Sequence, residues 1–161
     1  MPELTAWRVD KAKRARTSFS GEGAALEGGR WNSAGVRVVY LSASLAMAAL
    51  EKYVHLPKPL PAGMELVRFK VTFSDSLVQR VKPADLPADW RAAPPSASTQ
   101  FIGDTWTRDV VSAVLAVPSV LIPEETNYLL NSAHPDFKKV KIGEPEAFAF
   151  DYRIARLTEP K

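Results

Sequence analysis

The chain contains no cysteine, so a disulfide framework, a thiolate zinc site and a cysteine nucleophile are all excluded. Its two histidines, His55 and His134, are too few for a histidine-rich metal centre, and no metal site is expected. No apolar run approaches the roughly 18 residues of a membrane span, and the opening MPELTAWRVDKAKRAR lacks the apolar stretch of a secretory signal. The expectation is a cytoplasmic protein without membrane contact. What is present is globular in character: 161 residues, 46% apolar and 24% charged, within the length of one domain over 1–161. At that length a chain buries roughly two-thirds of the surface it would expose unfolded, enough for a core without staples.

The net charge, 21 − 18 = +3, is mild but unevenly placed. Residues 8–16 (RVDKAKRAR) carry five cations against Asp10, and Lys138, Lys139 and Lys141 form a second group. Such runs are solvated faces in most proteins; the competing reading is attraction of an anionic ligand or partner.

Trp7–Val9 reads as a short strand ahead of a polar stretch that ends in Gly21, Gly23, Gly28 and Gly29, a tightly turning loop. Val36–Leu41 is rich in β-branched residues and reads as a strand. The run from Ser42 to His55 reads as a serine-capped helix ended by Pro57, Pro59 and Pro61. Glu65–Phe73 alternates apolar and charged residues as a half-buried strand does. Proline-rich 82–98 reads as a surface connection, and Gly103-Asp104-Thr105-Trp106 as a capped helix start. Ala113–Ile122 is apolar on both sides of Pro118, which implies an edge, a bulge or two abutting strands. Asn127–Asn131 and Phe148–Ile154 complete the set, the latter as a final strand. Many short strands with few helices predict an α+β domain on mixed or antiparallel sheets.

Among residues able to carry chemistry, Arg30 in Gly28-Gly29-Arg30-Trp31-Asn32 offers a planar cationic fork where glycines let backbone approach a ligand; an arginine beside a Gly-Gly turn is otherwise an ordinary surface residue. Glu51 has Met47, Ala48 and Val54 as its helical neighbours, so its carboxylate lies on an apolar face and is either salt-bridged or part of a site. By themselves Tyr40 reads as core, Ser119 as a strand-end hydroxyl and His134, before Pro135, as a turn residue.

Together these residues have more meaning. The run GGRWNSAGVRVVYLSASLAMAALEKYVHL, followed by VPSVLIPEETNYLLNSAHPDF, resembles the RES family, the toxin halves of bacterial Xre–RES toxin–antitoxin pairs. The similarity extends from about residue 7 to 154. It implies a compact fold related to ADP-ribosyltransferases, with NAD+ as substrate, inorganic phosphate as a possible co-substrate and no separate cofactor. It matches the family's arginine, glutamate and serine to Arg30, Glu51 and Ser119, its pocket residues to Tyr40 and Arg8, and the substrate-binding asparagine of NYLLN to Asn127. Asn131-Ser132-Ala133-His134-Pro135 departs from the Asn-Pro that relatives carry before His-Pro, leaving Ser132 as a competitor to Ser119.

The implied chemistry needs neither metal nor strong nucleophile, because nicotinamide leaves as a neutral base and the oxocarbenium-like transition state needs positioning and a nearby negative charge. Glu51 would stabilise that cation, Tyr40 would line the nicotinamide pocket, and Arg30, Arg8 and Ser119 would hold phosphate or ribose oxygens. The implied function is an NAD+-degrading toxin acting by phosphorolysis or hydrolysis. Transfer of ADP-ribose to a protein is the alternative within the family, and an RNA-binding or RNA-cutting toxin the alternative outside it. Against the last, the cations are not interleaved with aromatics and neither histidine has a catalytic neighbour. The implied partner is an Xre-type antitoxin in an oligomeric assembly.

Overall fold

The computed structural model describes residues 2–156; Met1 and 157–161, the ends of the expected domain, lie outside the described residues. In chain order the elements are β1 (Glu3–Lys11), α1 (Glu22–Glu27), β2 (Val39–Ser42), α2 (Leu45–His55), β3 (Leu66–Ser74) and β4 (Val78–Arg80). Then come α3 (Ala97–Arg108), β5 (Val114–Pro118), β6 (Thr126–Leu130), β7 (Lys141–Ile142), β8 (Glu146–Phe148) and α4 (Tyr152–Arg156). The strands form one eight-stranded sheet in the order β4-β5-β6-β2-β1-β3-β7, with β8 also paired to β3. Only β4 and β5 run parallel, so the α+β class with a mixed sheet and few helices is what the chain adopts.

The ladder is unequal along its length. β1 pairs with β3 over its whole extent, from Glu3↔Ser74 to Lys11↔Leu66, whereas β1 and β2 share the single pair Trp7↔Ser42. The sheet therefore consists of two half-sheets that meet at one point. Beyond that point the Arg8 side chain takes over from the ladder: its Nη1 donates to the Tyr40 carbonyl at 3.0 Å. One core cluster, including Val39, Leu41, Val71, Phe73, Val114 and Leu130, packs between strands of both halves, while Val9, Ala48, Leu56 and Leu66 seat α2 on β1 and β3.

Several elements depart from the sequence reading for local reasons. β2 begins only at Val39, because the Asn32 side-chain amide donates to the Val36 carbonyl (3.0 Å) and holds that backbone in the preceding loop. Ser42 belongs to β2; the cap of α2 is Ser44, whose Oγ accepts from the Met47 N–H at 3.1 Å. Pro118 ends β5 beyond the last residue paired to β4, where its missing N–H leaves no ladder bond unmade. The expected final strand over Phe148–Ile154 stops at Phe148, since the Asp151 carboxylate accepts the Arg153 N–H at 2.9 Å and starts the turn of α4.

Gly103 carries the largest correction. It does not start a helix but lies inside α3, which begins at Ala97. An interior glycine costs a helix roughly 1 kcal/mol relative to alanine. The compensation is close approach: a Cβ on Gly103 would stand 1.7 Å from the Trp31 carbonyl oxygen. With Gln100 and Asp104 on the same face, α3 grips the glycine loop. Gln100 Nε2 donates to the Gly29 carbonyl (3.0 Å), and Asp104 accepts from the Ser33 N–H (2.9 Å) and Ser33 hydroxyl (2.5 Å). Gly103→Ala is expected to destabilise the protein by an amount at or above the upper end of the roughly 1–3 kcal/mol typical of overpacking, read as a lowered Tm in thermal unfolding; an unchanged Tm would disprove this contact.

Candidate functional site

Glu51 lies where α2 faces the ends of β5 and β6. Met47 and Ala48 are buried as the periodicity requires, but Val54 is 43% exposed, so the apolar face is narrower than expected and Glu51 is at its margin. One carboxylate oxygen, Oε1, accepts from the Ser119 hydroxyl and from the Asn127 side-chain amide, both at 2.8 Å. Oε2 has no hydrogen-bond partner among the described residues.

The two donors are themselves oriented. Ser119 is fully buried, and its Oγ accepts from the N–H groups of Leu121 (3.1 Å) and Ile122 (3.3 Å), which leaves its single proton for Glu51. Asn127 pairs in register with Ser42, whose hydroxyl donates to Asn127 Oδ1 at 2.8 Å and so turns the amide nitrogen toward the carboxylate. Ser132 makes no bond to Glu51; the structure brings Ser119 to the carboxylate instead.

Tyr40, on β2, donates to Asn32 Oδ1 (2.5 Å) and accepts from the Trp31 N–H (3.2 Å). Burial pushes its phenol well above the usual range, so it stays a neutral donor at any physiological pH. The adjoining backbone needs glycine, because a Cβ on Gly29 would fall 2.8 Å from the Tyr40 hydroxyl. Arg30 follows directly. Its Nη1 donates to the carbonyls of Trp90 (2.9 Å) and Ala92 (2.8 Å), while Nε and Nη2 have no hydrogen-bond partner among the described residues. Desolvation lowers the Arg30 pKa, opposed by the nearby negative charge of Glu51. Arg30, Tyr40, Glu51, Ser119 and Asn127 thus belong to one neighbourhood.

Arg8 is placed differently. Its Nε donates to Ser18 Oγ (2.7 Å), Nη1 to the Tyr40 carbonyl and Nη2 to Asp10 (3.3 Å), so this guanidinium is turned inward and holds the Tyr40 backbone. Asp10, 3% exposed, also accepts from Ser18 Oγ (2.8 Å), the Lys11 N–H (2.8 Å) and Lys52 Nζ (3.2 Å). Part of the basic N-terminal run is therefore an internal charge cluster. His134 caps a turn, its Nδ1 accepting from the Asp136 N–H at 2.9 Å. The sequence reading missed Ser42, Asn32, Asp10 and the grip of α3; the sole local signal was an aspartate within an otherwise strand-like run. Two open depressions of about 300 Å3 and 350 Å3 contain none of these site residues. Among the described residues no group of three or more His, Asp or Glu is arranged to hold a metal ion, and no helix is long and apolar enough to cross a membrane.

The chain as a whole is of a known class. The RES domain family model matches residues 5–151, and the chain belongs to that family. It is 40% identical over 158 residues to the Prs ADP-ribosylating toxin of Sphingobium sp. (strain YBL2), covering 93% of this chain and 96% of that protein. It is 36% identical over 149 residues to Toxin Res of Yersinia enterocolitica, covering 92% and 97%. In structure it is similar to the M. tuberculosis MbcT–MbcA toxin–antitoxin complex, with a TM-score of 0.73 at 16% identity, covering 98% of this chain and 89% of that one, a likeness of fold.

The Asp10 cluster supplies a stability prediction. Burial alone would raise the Asp10 pKa, but Arg8, Ser18, Lys52 and the Lys11 N–H together lower it. A depressed carboxylate stabilises the folded state above its unfolded value of about 4, and that stability is lost as pH falls through the lower folded value. Asp10→Asn leaves the Arg8 and Lys52 charges unpaired, with side chains 22% and 21% exposed, and is expected to cost on the order of 3 kcal/mol at neutral pH. Urea unfolding at pH 7 and pH 3 tests this: the gap between variant and parent should shrink at the lower pH.

Proposed function

We propose that this protein is a toxin that cleaves the nicotinamide–ribose bond of NAD+, with water or phosphate accepting the ADP-ribosyl group. The observation that carries the reading is Glu51 Oε1 held by Ser119 and Asn127 with Oε2 left free, in reach of the field of Arg30. The bond from ribose C1′ to the pyridinium nitrogen breaks, and its electron pair leaves with neutral nicotinamide. Positive charge develops at C1′ and the ring oxygen, and the Glu51 carboxylate stabilises it while accepting a ribose hydroxyl. The acceptor then bonds to C1′ and releases its proton to solvent. Tyr40, a neutral donor in an aromatic surround with Trp31, borders the same space. Arg30 retains free N–H groups suited to a phosphate oxygen.

A second acceptor is favoured by one comparison. The 40% identical relative is named for ADP-ribosylation of Prs, which supports a protein side chain as acceptor in place of water or phosphate. The cleavage step is common to both. The fold neighbour comes from a toxin–antitoxin complex, and we assign this chain an antitoxin partner of the Xre type that covers Arg30, Tyr40 and Glu51 with an acidic group or C-terminal carboxylate.

The purified protein is expected to release nicotinamide from NAD+ without added metal. Glu51→Gln keeps an Oε1 that accepts from Ser119 and Asn127, so it should fold normally while losing activity by about 10²–10³-fold. A folded, fully active Glu51→Gln protein would reject the site. Mass spectrometry of the products with phosphate, without phosphate and with a candidate protein acceptor separates the two readings. Co-expression with the antitoxin, followed by size-exclusion chromatography and NAD+ competition, is expected to give a complex with at least two copies of this chain from which NAD+ is excluded. Free entry of NAD+ into that complex would reject occlusion.

A further inference from the structure

The segment between Pro87 and Pro94 crosses the site as a strap, and its attachments place a second cation beside Arg30. The carbonyls of Trp90 and Ala92, on either side of Arg91, are the two acceptors of Arg30 Nη1. Arg91 itself is exposed, and its Nη2 donates to the Val120 carbonyl at 3.0 Å, one residue beyond the serine that binds Glu51. Its guanidinium carbon lies 5.9 Å from the centre of the Trp90 ring, which limits where the head can swing. The strap is thus tied to the loop before β2 by one arginine and to the turn after β5 by the other.

Neither guanidinium has a carboxylate within ion-pair distance among the described residues, and both are held by neutral carbonyls. Arg91 is close enough that its charge is one of those acting on Arg30. Two cations brought together by backbone bonds repel each other, and the Glu51 charge offsets this at Arg30 without forming an ion pair with either guanidinium. Each keeps unbonded N–H groups: Nε and Nη2 of Arg30, Nε and Nη1 of Arg91. A bridging anion with several acceptor oxygens meets both demands, relieving the repulsion and filling two planar forks. No comparable demand exists at Arg8, each of whose three nitrogens already donates and whose charge is paired with Asp10.

We propose that Arg30 and Arg91 together form a diphosphate-binding subsite, and that Arg91 is a specificity-determining residue for a dinucleotide substrate. The proposal rests on the NAD+ reading for the identity of the substrate, but not for the anion chemistry. The diphosphate of the substrate spans the two forks, which leaves its nicotinamide ribose on the Glu51 side, toward Val120 and Ser119. Arg91→Lys keeps the charge and a donor for Val120 but loses the fork; Arg91→Gln loses the charge as well.

The test uses inorganic pyrophosphate as the probe on the purified chain, with binding measured by calorimetry and thermal shift at two salt concentrations. The parent is expected to bind it, Arg91→Gln to bind roughly tenfold or more weakly with a flatter salt dependence, and Arg91→Lys to lie between. Arg108→Gln, at an exposed and remote ion pair, serves as the control for loss of one positive charge. In NAD+ turnover, Arg91→Gln is expected to raise KM by more than it lowers kcat. Pyrophosphate binding that is absent in the parent, or equal in parent and Arg91→Gln with both folded by circular dichroism, overturns the proposal. Arg91-dependent pyrophosphate binding without any NAD+ cleavage would uphold the subsite and reject the substrate reading. NAD+ cleavage with KM indifferent to Arg91 would do the reverse.

Discussion

A carboxylate on the packing side of a helix must either reach water or be met by donors, because an unpaired buried charge costs several kcal/mol. Glu51 is met on one oxygen only. Its two donors come from residues 68 and 76 positions away, so the group is assembled only when α2, β5 and β6 are together. Each donor has been deprived of alternatives: Ser119 Oγ accepts two backbone N–H groups, and Asn127 Oδ1 accepts Ser42. The carboxylate is therefore fixed by bonds on Oε1 without losing the acceptor capacity of Oε2. Preorganisation of this kind matters most where charge develops during reaction, since a group already in place need not reorient.

The cationic side of the neighbourhood depends on a different constraint, the packing of a helix onto a loop at backbone distance. Gly103 admits the Trp31 carbonyl, Gln100 and Asp104 take the loop on either side of it, and buried Asn32 donates to the carbonyls of Ala24 (2.9 Å) and Val36 (3.0 Å). Tyr40 completes the enclosure through Asn32 and the Trp31 N–H. Arg30 projects from a segment whose neighbours on both sides are bonded, which gives a long flexible side chain a fixed root.

Much of this was legible in the chain because the informative signals are local. The alternation of Glu65–Phe73 gave β3, the period of the α2 segment placed Glu51 against Met47 and Ala48, and the Gly-Gly-Arg order marked a loop able to approach a ligand. The family resemblance supplied Ser119 and Asn127, which periodicity alone reads as ordinary strand-end polar residues. What stayed hidden depends on partners far along the chain. Gly103 looks like a helix start until Trp31, 72 positions earlier by number, occupies the space of its Cβ. Ser42 looks like a cap until β6 sets Asn127 opposite it. Arg8 looks like a free cation until Asp10, Ser18 and the Tyr40 carbonyl engage all three of its nitrogens.

The single ladder pair between β1 and β2 raises the question of what joins the two half-sheets near the site. Core packing between them is non-directional, and apolar contacts alone do not set the angle at which the halves meet. Consecutive residues of α2 supply direction. Lys52 Nζ bonds Asp10 on β1, while Glu51 bonds Ser119 and Asn127 at the ends of β5 and β6. Arg8 adds the reciprocal tie, from β1 to the Tyr40 carbonyl on β2. The helix therefore pins both halves through opposite charges on adjacent residues, and the distance from Glu51 to Tyr40 is set by the same bonds that close the sheet. Stability and site geometry share bonds at this point of the fold: Asp10 holds both the Arg8 that bonds the Tyr40 carbonyl and the Lys52 that follows Glu51 on α2, even though Asp10 lies outside the neighbourhood of free donors and acceptors.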